Sequence, residues 1–177
     1  MRCMNENSQP IHDQQKQYWA EMVKLKASSL YIRYYRDSLG RKVTKIAAVR
    51  AVASSVSIGG WALWQRFAWF WGLIIATSQV ADALKDVFPF AKTHKAANEL
   101  TVALDRFFID AQLEWDNIFS GKYTNEEIST RLHKLRTLQP QAEQHNFPDG
   151  LAEQPDLKSR ARQDAVEYFW KTYGVRV

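Results

Sequence analysis

Two apolar runs dominate the middle of the chain and limit what it can fold into. The first extends from Ile46 to Trp64 with Arg50 as its one charge. The second begins at Phe67 after a two-residue break, stays apolar to Ala76 and then becomes more polar before Phe88. A transmembrane helix needs about 20 largely apolar residues. The first run nearly supplies that length, and the second does so only if its polar end is included. Together they predict a two-helix transmembrane hairpin over about residues 43–88.

Aromatic and basic residues around these runs support the hairpin. Trp61, Trp64, Trp69 and Trp71 lie close to the turn, and indole rings favour the lipid–water boundary. Basic residues cluster at the two ends of the hairpin that lie away from the turn, so the positive-inside rule predicts that both termini are cytoplasmic. The basic residues at the start are Arg41, Lys42, Lys45 and Arg50, those at the end are Lys85, Lys92 and Lys95, and one, Arg66, lies at the turn.

Charges within the runs align when the runs fold about their turn. Arg50 and Asp82 lie at nearly the same distance from the turn, as do Lys45 and Asp86. Charges in a bilayer usually face a partner or a water-filled path. The predicted ion pathway therefore comprises Lys45, Arg50, Ser54, Ser57, Ser78, Asp82 and Asp86. The same seam also fits helix packing within one subunit, and in a soluble bundle Arg50 and Asp82 would form a structural ion pair.

The flanking segments predict further helices, so the predicted fold is all-α. A long amphipathic helix is expected from Pro10 to Leu39 with Gly40 as its stop, and a second helix from Ala96 to Phe119. The second helix carries a near-heptad apolar seam, which suits packing on the first helix or on other subunits. The seam residues are Leu100, Leu104, Phe107, Ala111, Trp115 and Ile118.

The C-terminal third predicts two shorter helices. Thr124 and Glu127 form a capping-box pattern that starts a helix to about Leu138. The range 139–155 is polar and contains three prolines, so it is predicted to be a loop. A final helix is expected over 157–173 with Gly174 as its stop. We therefore divide the chain into a disordered N-terminus at residues 1–9, a two-transmembrane domain at 10–120 and a helical extension at 121–177.

Basic residues alternate with tyrosines in the first helix. Such a mixture can hold phosphates by charge and bases by stacking, although it is also typical of a solvated helix face. The formal charge of +5 weakly favours anionic partners. The residues predicted to bind a ligand are Lys24, Lys26, Arg33, Tyr34 and Arg36.

Motifs for catalysis are missing from the sequence. The four histidines have no metal-binding spacing, and Gly121-Lys122 lacks the upstream glycine of a phosphate-binding loop. The single cysteine excludes a site with several cysteines. The chain is therefore predicted to be a non-enzyme without a catalytic site, metal site or cofactor.

The order of segments resembles the SLATT family, whose members are two-transmembrane effectors of bacterial nucleotide-signalling anti-phage systems, including Hailong-type defence. The resemblance covers residues 10–120. It depends on Trp19 and Tyr34-Tyr35 before the hairpin, on Trp115 behind it, and on recurring small residues in the first apolar run. Those small residues are Ala47, Ala51, Ser55 and Gly59.

This resemblance implies an oligomeric two-pass channel or pore effector in the lipid bilayer of the bacterial inner membrane, assembled as a tetramer or a larger ring. A nucleotide or oligonucleotide from a partner nucleotidyltransferase would gate it, and the resulting ion flux would depolarise the membrane and abort infection. The alternative is a non-conducting membrane anchor or scaffold that recruits a cytosolic partner through its C-terminal helices. A third interpretation is a soluble helical adaptor.

Overall fold

The computed structural model describes residues 9–55 and 90–174, and each regular element within these ranges is an α-helix. Helix α1 spans Gln9–Ser55, α2 spans Phe90–Phe119, α3 spans Asn125–Asn146 and α4 spans Pro155–Tyr173. The all-α prediction is confirmed for this part of the chain. The predicted disorder of the N-terminus falls on residues outside the described ranges, except for Gln9, which begins α1.

The helices belong to two compact units. The larger unit, here named the helical body, contains α1 up to Tyr35, α2 from Ala96 onward, and both α3 and α4. The smaller unit contains the rest of α1, from Arg36, and the first residues of α2, up to Lys95.

Helix α1 continues for 47 residues, so the predicted stop at Gly40 is wrong. A glycine ends a helix when it takes a left-handed conformation. Among the described glycines, the positive φ angles belong to Gly121, Gly150 and Gly174, whereas Gly40 stays helical. The lack of a side chain at Gly40 instead allows His94 to pack closely against α1, because a Cβ atom there would lie 3.3 Å from Nε2 of His94.

Helix α2 begins at Phe90, six residues before the predicted start at Ala96. Four members of the predicted seam are buried in the helical body: Leu100, Leu104, Ala111 and Ile118. Phe107 and Trp115 are half-buried and pack against the same core. Phe108, which was not part of the predicted seam, is buried there as well.

The start of α3 follows its local signal, and its end does not. Oγ1 of Thr124 accepts a hydrogen bond from the Glu127 backbone N–H, and the Glu127 carboxylate accepts one from the Thr124 backbone N–H, which confirms the capping box. The helix then passes through Pro140 and ends at Asn146, so residues 139–146 of the predicted loop are helical. A proline inside a helix removes one backbone donor. Burial of Ile128, Leu132 and Leu135 secures the helix before that point.

Helix α4 closes the core of the helical body. It starts at Pro155 and ends at Gly174, whose φ of 69° confirms the predicted stop. Phe169 is fully buried, and its ring contacts Trp19 and Phe108 at centroid distances of 5.0 and 6.1 Å. These contacts join α4 to both α1 and α2. Aromatic packing of this kind stabilises the arrangement beyond simple area burial.

Within residues 9–55 and 90–174, no helix is both long enough and apolar enough to cross a membrane. This finding contradicts the predicted two-pass location in the bacterial inner membrane, which we correct here. The physical reason is visible in α1, where Arg41, Lys42 and Lys45 precede the first apolar run and Arg50 lies within it. Residues 56–88 of the predicted hairpin lie outside the described ranges.

Candidate anion-binding groove

A cavity of about 370 Å³ opens on the helical body between α1, α3 and α4. Because residues three or four apart share a helix face, each helix presents a short row of side chains to it. These side chains are Glu21, Lys24, Leu25, Ala27, Ser28 and Tyr31 of α1, Leu135, Arg136, Gln139 and Pro140 of α3, and Lys158 and Arg162 of α4. We call this cavity the basic groove.

The basic groove has a strong excess of positive charge. Among its described lining residues, Lys24, Arg136, Lys158 and Arg162 are cationic and Glu21 is the one carboxylate. Oε1 of Glu21 accepts hydrogen bonds from Nζ of Lys24 and Nε of Arg136, both at 3.1 Å. One carboxylate therefore pairs with two cations, so the net charge of the groove lining stays positive.

The two cations from α4 differ in the partners that they have within the helical body. Lys158 hydrogen-bonds to the exposed Glu153, and this bond is the first cause that holds the pKa of Glu153 below its usual range. Arg162 lowers the same pKa through space. In the part of the chain that the structure describes, Arg162 makes no hydrogen bond or ion pair. Its guanidinium group can therefore turn towards an anion in the groove.

Polar and aromatic groups fix the shape of the groove. Nε2 of Gln139 donates hydrogen bonds to Oγ of Ser28 at 2.9 Å and to Oε1 of Glu143 at 2.8 Å. The hydroxyl of Tyr31 accepts a hydrogen bond from the backbone N–H of Gln154 at 3.1 Å. The Tyr31 ring is thus held at the rim by the loop before α4, as a rigid surface for stacking.

The five residues predicted to bind a ligand do not converge on one site. Lys24 lines the basic groove, and Arg36 lies in the smaller unit, where it pairs with Asp37 at 2.8 Å. Arg33 pairs with Asp105 at 2.8 Å. Of these five residues, Lys24 is the one that lines the basic groove.

Lys26 and Tyr34 also have partners within the helical body. Nζ of Lys26 lies 4.2 Å from the ring centroid of Tyr168, and burial lowers its pKa, with nearby Arg33 adding to the effect. The hydroxyl of Tyr34 donates to Asp164. Burial is the first cause, and this hydrogen bond the second, of the raised pKa of Tyr34.

The predicted ion-pathway residues fall mostly outside what can be described. Lys45 is exposed on α1 and lines a shallow cleft of the smaller unit together with His94. Arg50 and Ser54 belong to α1, but their side chains are not described. Residues Ser57, Ser78, Asp82 and Asp86 lie outside the described ranges.

Sequence analysis missed the groove residues of α3 and α4. Arg136 lies just before the range that was predicted to be a loop, and Lys158 and Arg162 were not among the residues predicted to bind a ligand. The four-residue spacing of Lys158 and Arg162 was a usable signal, since it places both on one helix face. The approach of Arg136 to α1 depends on contacts between residues more than a hundred positions apart in the sequence, such as that of Glu21 with Arg136.

Metal binding is not supported within residues 9–55 and 90–174, where no group of three or more potential ligands converges. No family model, curated protein or solved structure matches the chain. The resemblance to the SLATT family therefore stays a prediction.

Proposed function

We propose that the helical body is a non-catalytic receptor for a phosphate-bearing nucleotide, which binds in the basic groove. The observation that carries this proposal is the convergence of four cations from three helices on a cavity with one carboxylate among its described lining residues. Charge-assisted hydrogen bonds to phosphate are among the strongest that side chains make. An anion in the groove would join α1, α3 and α4 and neutralise the excess charge.

The two arginines provide the geometry that a phosphate group requires. A guanidinium group offers a planar fork of donors that can hold two phosphate oxygens at once. Arg136 and Arg162 enter the groove from different helices, and Lys24 and Lys158 add point charges beside them. This set fits a ligand with two or more phosphate charges better than one with a single carboxylate.

The remaining lining fits a nucleoside. Tyr31 offers a ring face for base stacking, and Ser28 and Gln139 offer polar atoms for the edge of a base or a ribose. The cavity of about 370 Å³ lies within the range of about 300–1,000 Å³ typical of small-molecule sites. A mononucleotide fits this combination of volume, charge and aromatic surface.

Binding rather than turnover is the role that we assign to the groove. Its carboxylate, Glu21, is engaged by Lys24 and Arg136 and is therefore a poor general base. In the anti-phage setting that the SLATT resemblance implies, a partner nucleotidyltransferase would supply the ligand. A pore is not part of this proposal, because the described helices lack a membrane-spanning segment.

Calorimetric titration with ADP, pyrophosphate and adenosine tests the proposal. We expect ADP and pyrophosphate to bind and adenosine, which lacks phosphate, to bind at least about tenfold more weakly. Arg162→Gln should weaken ADP binding about tenfold, or about 1.4 kcal/mol. Its control is Lys134→Gln, which removes one charge from an exposed side chain outside the groove.

The two variants separate a specific site from a general attraction to positive charge. Equal weakening by Lys134→Gln would show that net charge alone governs binding. No ADP binding at about 1 mM, or binding that Arg162→Gln leaves unchanged, would contradict the proposal.

A further inference from the structure

Helix α2 has a second apolar face in addition to the one that builds the core. Val102, Ile109 and Leu113 are 62%, 64% and 64% exposed, whereas Leu104 and Phe108 on the opposite side are buried. Single exposed apolar residues are common on protein surfaces, but a row of them along one helix marks an interaction surface.

The spacing of this face is that of a helix-pairing seam. Val102, Arg106, Ile109, Leu113 and Asp116 follow one another at intervals of four, three, four and three residues. This alternation is the a/d pattern of paired helices. All five side chains are exposed. We call these five residues the outer stripe.

Two opposite charges lie at matched positions in the outer stripe. Arg106 is three residues before Ile109, and Asp116 is three residues after Leu113. Neither side chain forms an ion pair or hydrogen bond within residues 9–55 and 90–174. The stripe therefore carries one solvent-exposed cation and one solvent-exposed anion, each five residues from position 111 at its apolar centre.

We propose that the outer stripe pairs with the outer stripe of a second copy of this chain, in antiparallel orientation about position 111. In this register Ile109 faces Leu113 of the second copy, and Arg106 faces Asp116 of the second copy. The two-fold axis repeats each contact, so the surface is complementary to itself. The apolar centre is covered, and both charges gain a partner of opposite sign.

Other arrangements of the same stripe are less favourable. In a parallel pair, Arg106 would face Arg106 of the second copy and Asp116 would face Asp116 of the second copy. Like charges would then lie opposite one another. An antiparallel shift by one heptad puts Arg106 opposite Ile109, or Leu113 opposite Asp116. Of these registers, the one centred on position 111 is the one that matches charge with charge and apolar residue with apolar residue.

The pairing should be weak enough to respond to small changes. One helix from each copy forms an interface below about 1,200 Å², at the low end for specific complexes. Asp110 flanks the stripe and would approach Asp110 of the second copy across the two-fold axis. These like charges would repel one another. We therefore expect a dimer with a Kd on the order of tens of micromolar.

Sedimentation equilibrium of the full chain with charge-swapped variants tests the orientation. Arg106→Asp and Asp116→Arg each place like charges opposite one another, and each should weaken the dimer about tenfold. The double variant exchanges the two charges and should return to within about threefold of the parent. The control is Lys134→Asp, which makes the same change in charge as Arg106→Asp at an exposed position on α3. It should leave the dimer unchanged.

A mixing experiment gives an independent readout. Equal amounts of Arg106→Asp and Asp116→Arg should form a mixed dimer, because each chain then offers the charge that the other lacks. Asp110→Asn should tighten the parent dimer by removing repulsion at the axis. A parent chain that stays monomeric to about 500 µM, or a dimer that neither the double variant nor mixing restores, would overturn the proposal.

Discussion

The α2 side and the groove side of the helical body neutralise their charges differently. On the α2 side Arg33 donates to Asp105 at 2.8 Å and Arg131 to Glu114 at 2.7 Å, so each of these guanidinium groups has its own carboxylate. In the basic groove, Lys24 and Arg136 instead share Glu21. A neutralised cation joins two helices, whereas an excess of cations leaves capacity to bind an anion.

The largest expected effect comes from removing a carboxylate on the α2 side, where each of the two arginines has its own carboxylate. Asp105 accepts hydrogen bonds from the fully buried Ser29 and from Arg33. Asp105→Ala leaves both donors without a partner, and we expect a loss of about 2–3 kcal/mol in the free energy of unfolding, measured in urea. ADP affinity below the unfolding transition should not change.

The control for this change is Asp149→Ala, which removes an exposed carboxylate outside the basic groove and the outer stripe. Its effect on unfolding should stay within about 0.5 kcal/mol. An equal loss of stability in the two variants would show that Asp105 does not act through its two hydrogen bonds.

The second largest effect is on ADP binding and comes from an increase in the net positive charge of the basic groove. Glu21→Gln removes the carboxylate that occupies Lys24 and Arg136, so both become available to a phosphate group. We expect ADP to bind about fivefold more tightly by calorimetry. Glu167→Gln is a suitable control, because Glu167 pairs with Lys171 away from the groove. Weaker binding by Glu21→Gln would instead show that Glu21 contacts the ligand.

The smallest effect concerns a carboxylate that is satisfied locally. Hydrogen bonds from the backbone and hydroxyl of Thr124 hold the pKa of Glu127 below its ordinary value of 4.5. A lowered pKa in the folded state adds stability above pH 4.5, and this stability is lost as the pH falls through the lowered value.

Glu127→Gln should therefore flatten the dependence of unfolding free energy on pH below about 4.5 and leave ADP affinity unchanged. Urea unfolding at several acidic pH values provides the measurement. An unaltered pH dependence would remove Glu127 from the groups that control acid stability.

Local signals were sufficient to predict some helix boundaries. The capping box at Thr124 and the stop at Gly174 depend on residues within one turn of the boundary, and the structure confirms both. Gly40 and Pro140 misled the prediction because their effect depends on the surroundings. Close packing of His94 favours a helical glycine at position 40, and a buried row before Pro140 keeps α3 intact.

The candidate site was harder to predict than the helices. Lys24 was found because it belongs to the basic and aromatic pattern of a single helix. Arg136 and Arg162 were not, because they join the groove through tertiary contacts between distant segments. Hydropathy misled the prediction of location, since the described helices do not reach the apolar length that a bilayer requires.

Mapping of ADP binding on a ¹⁵N-labelled sample by nuclear magnetic resonance tests the contrast between the two sides most directly. The account expects the amide signals around Lys24, Arg136, Lys158 and Arg162 to shift with one common Kd. Signals around Arg33 and Asp105 should stay in place. Shifts centred on Arg33 and Asp105, or no shifts at about 1 mM ADP, would contradict the account.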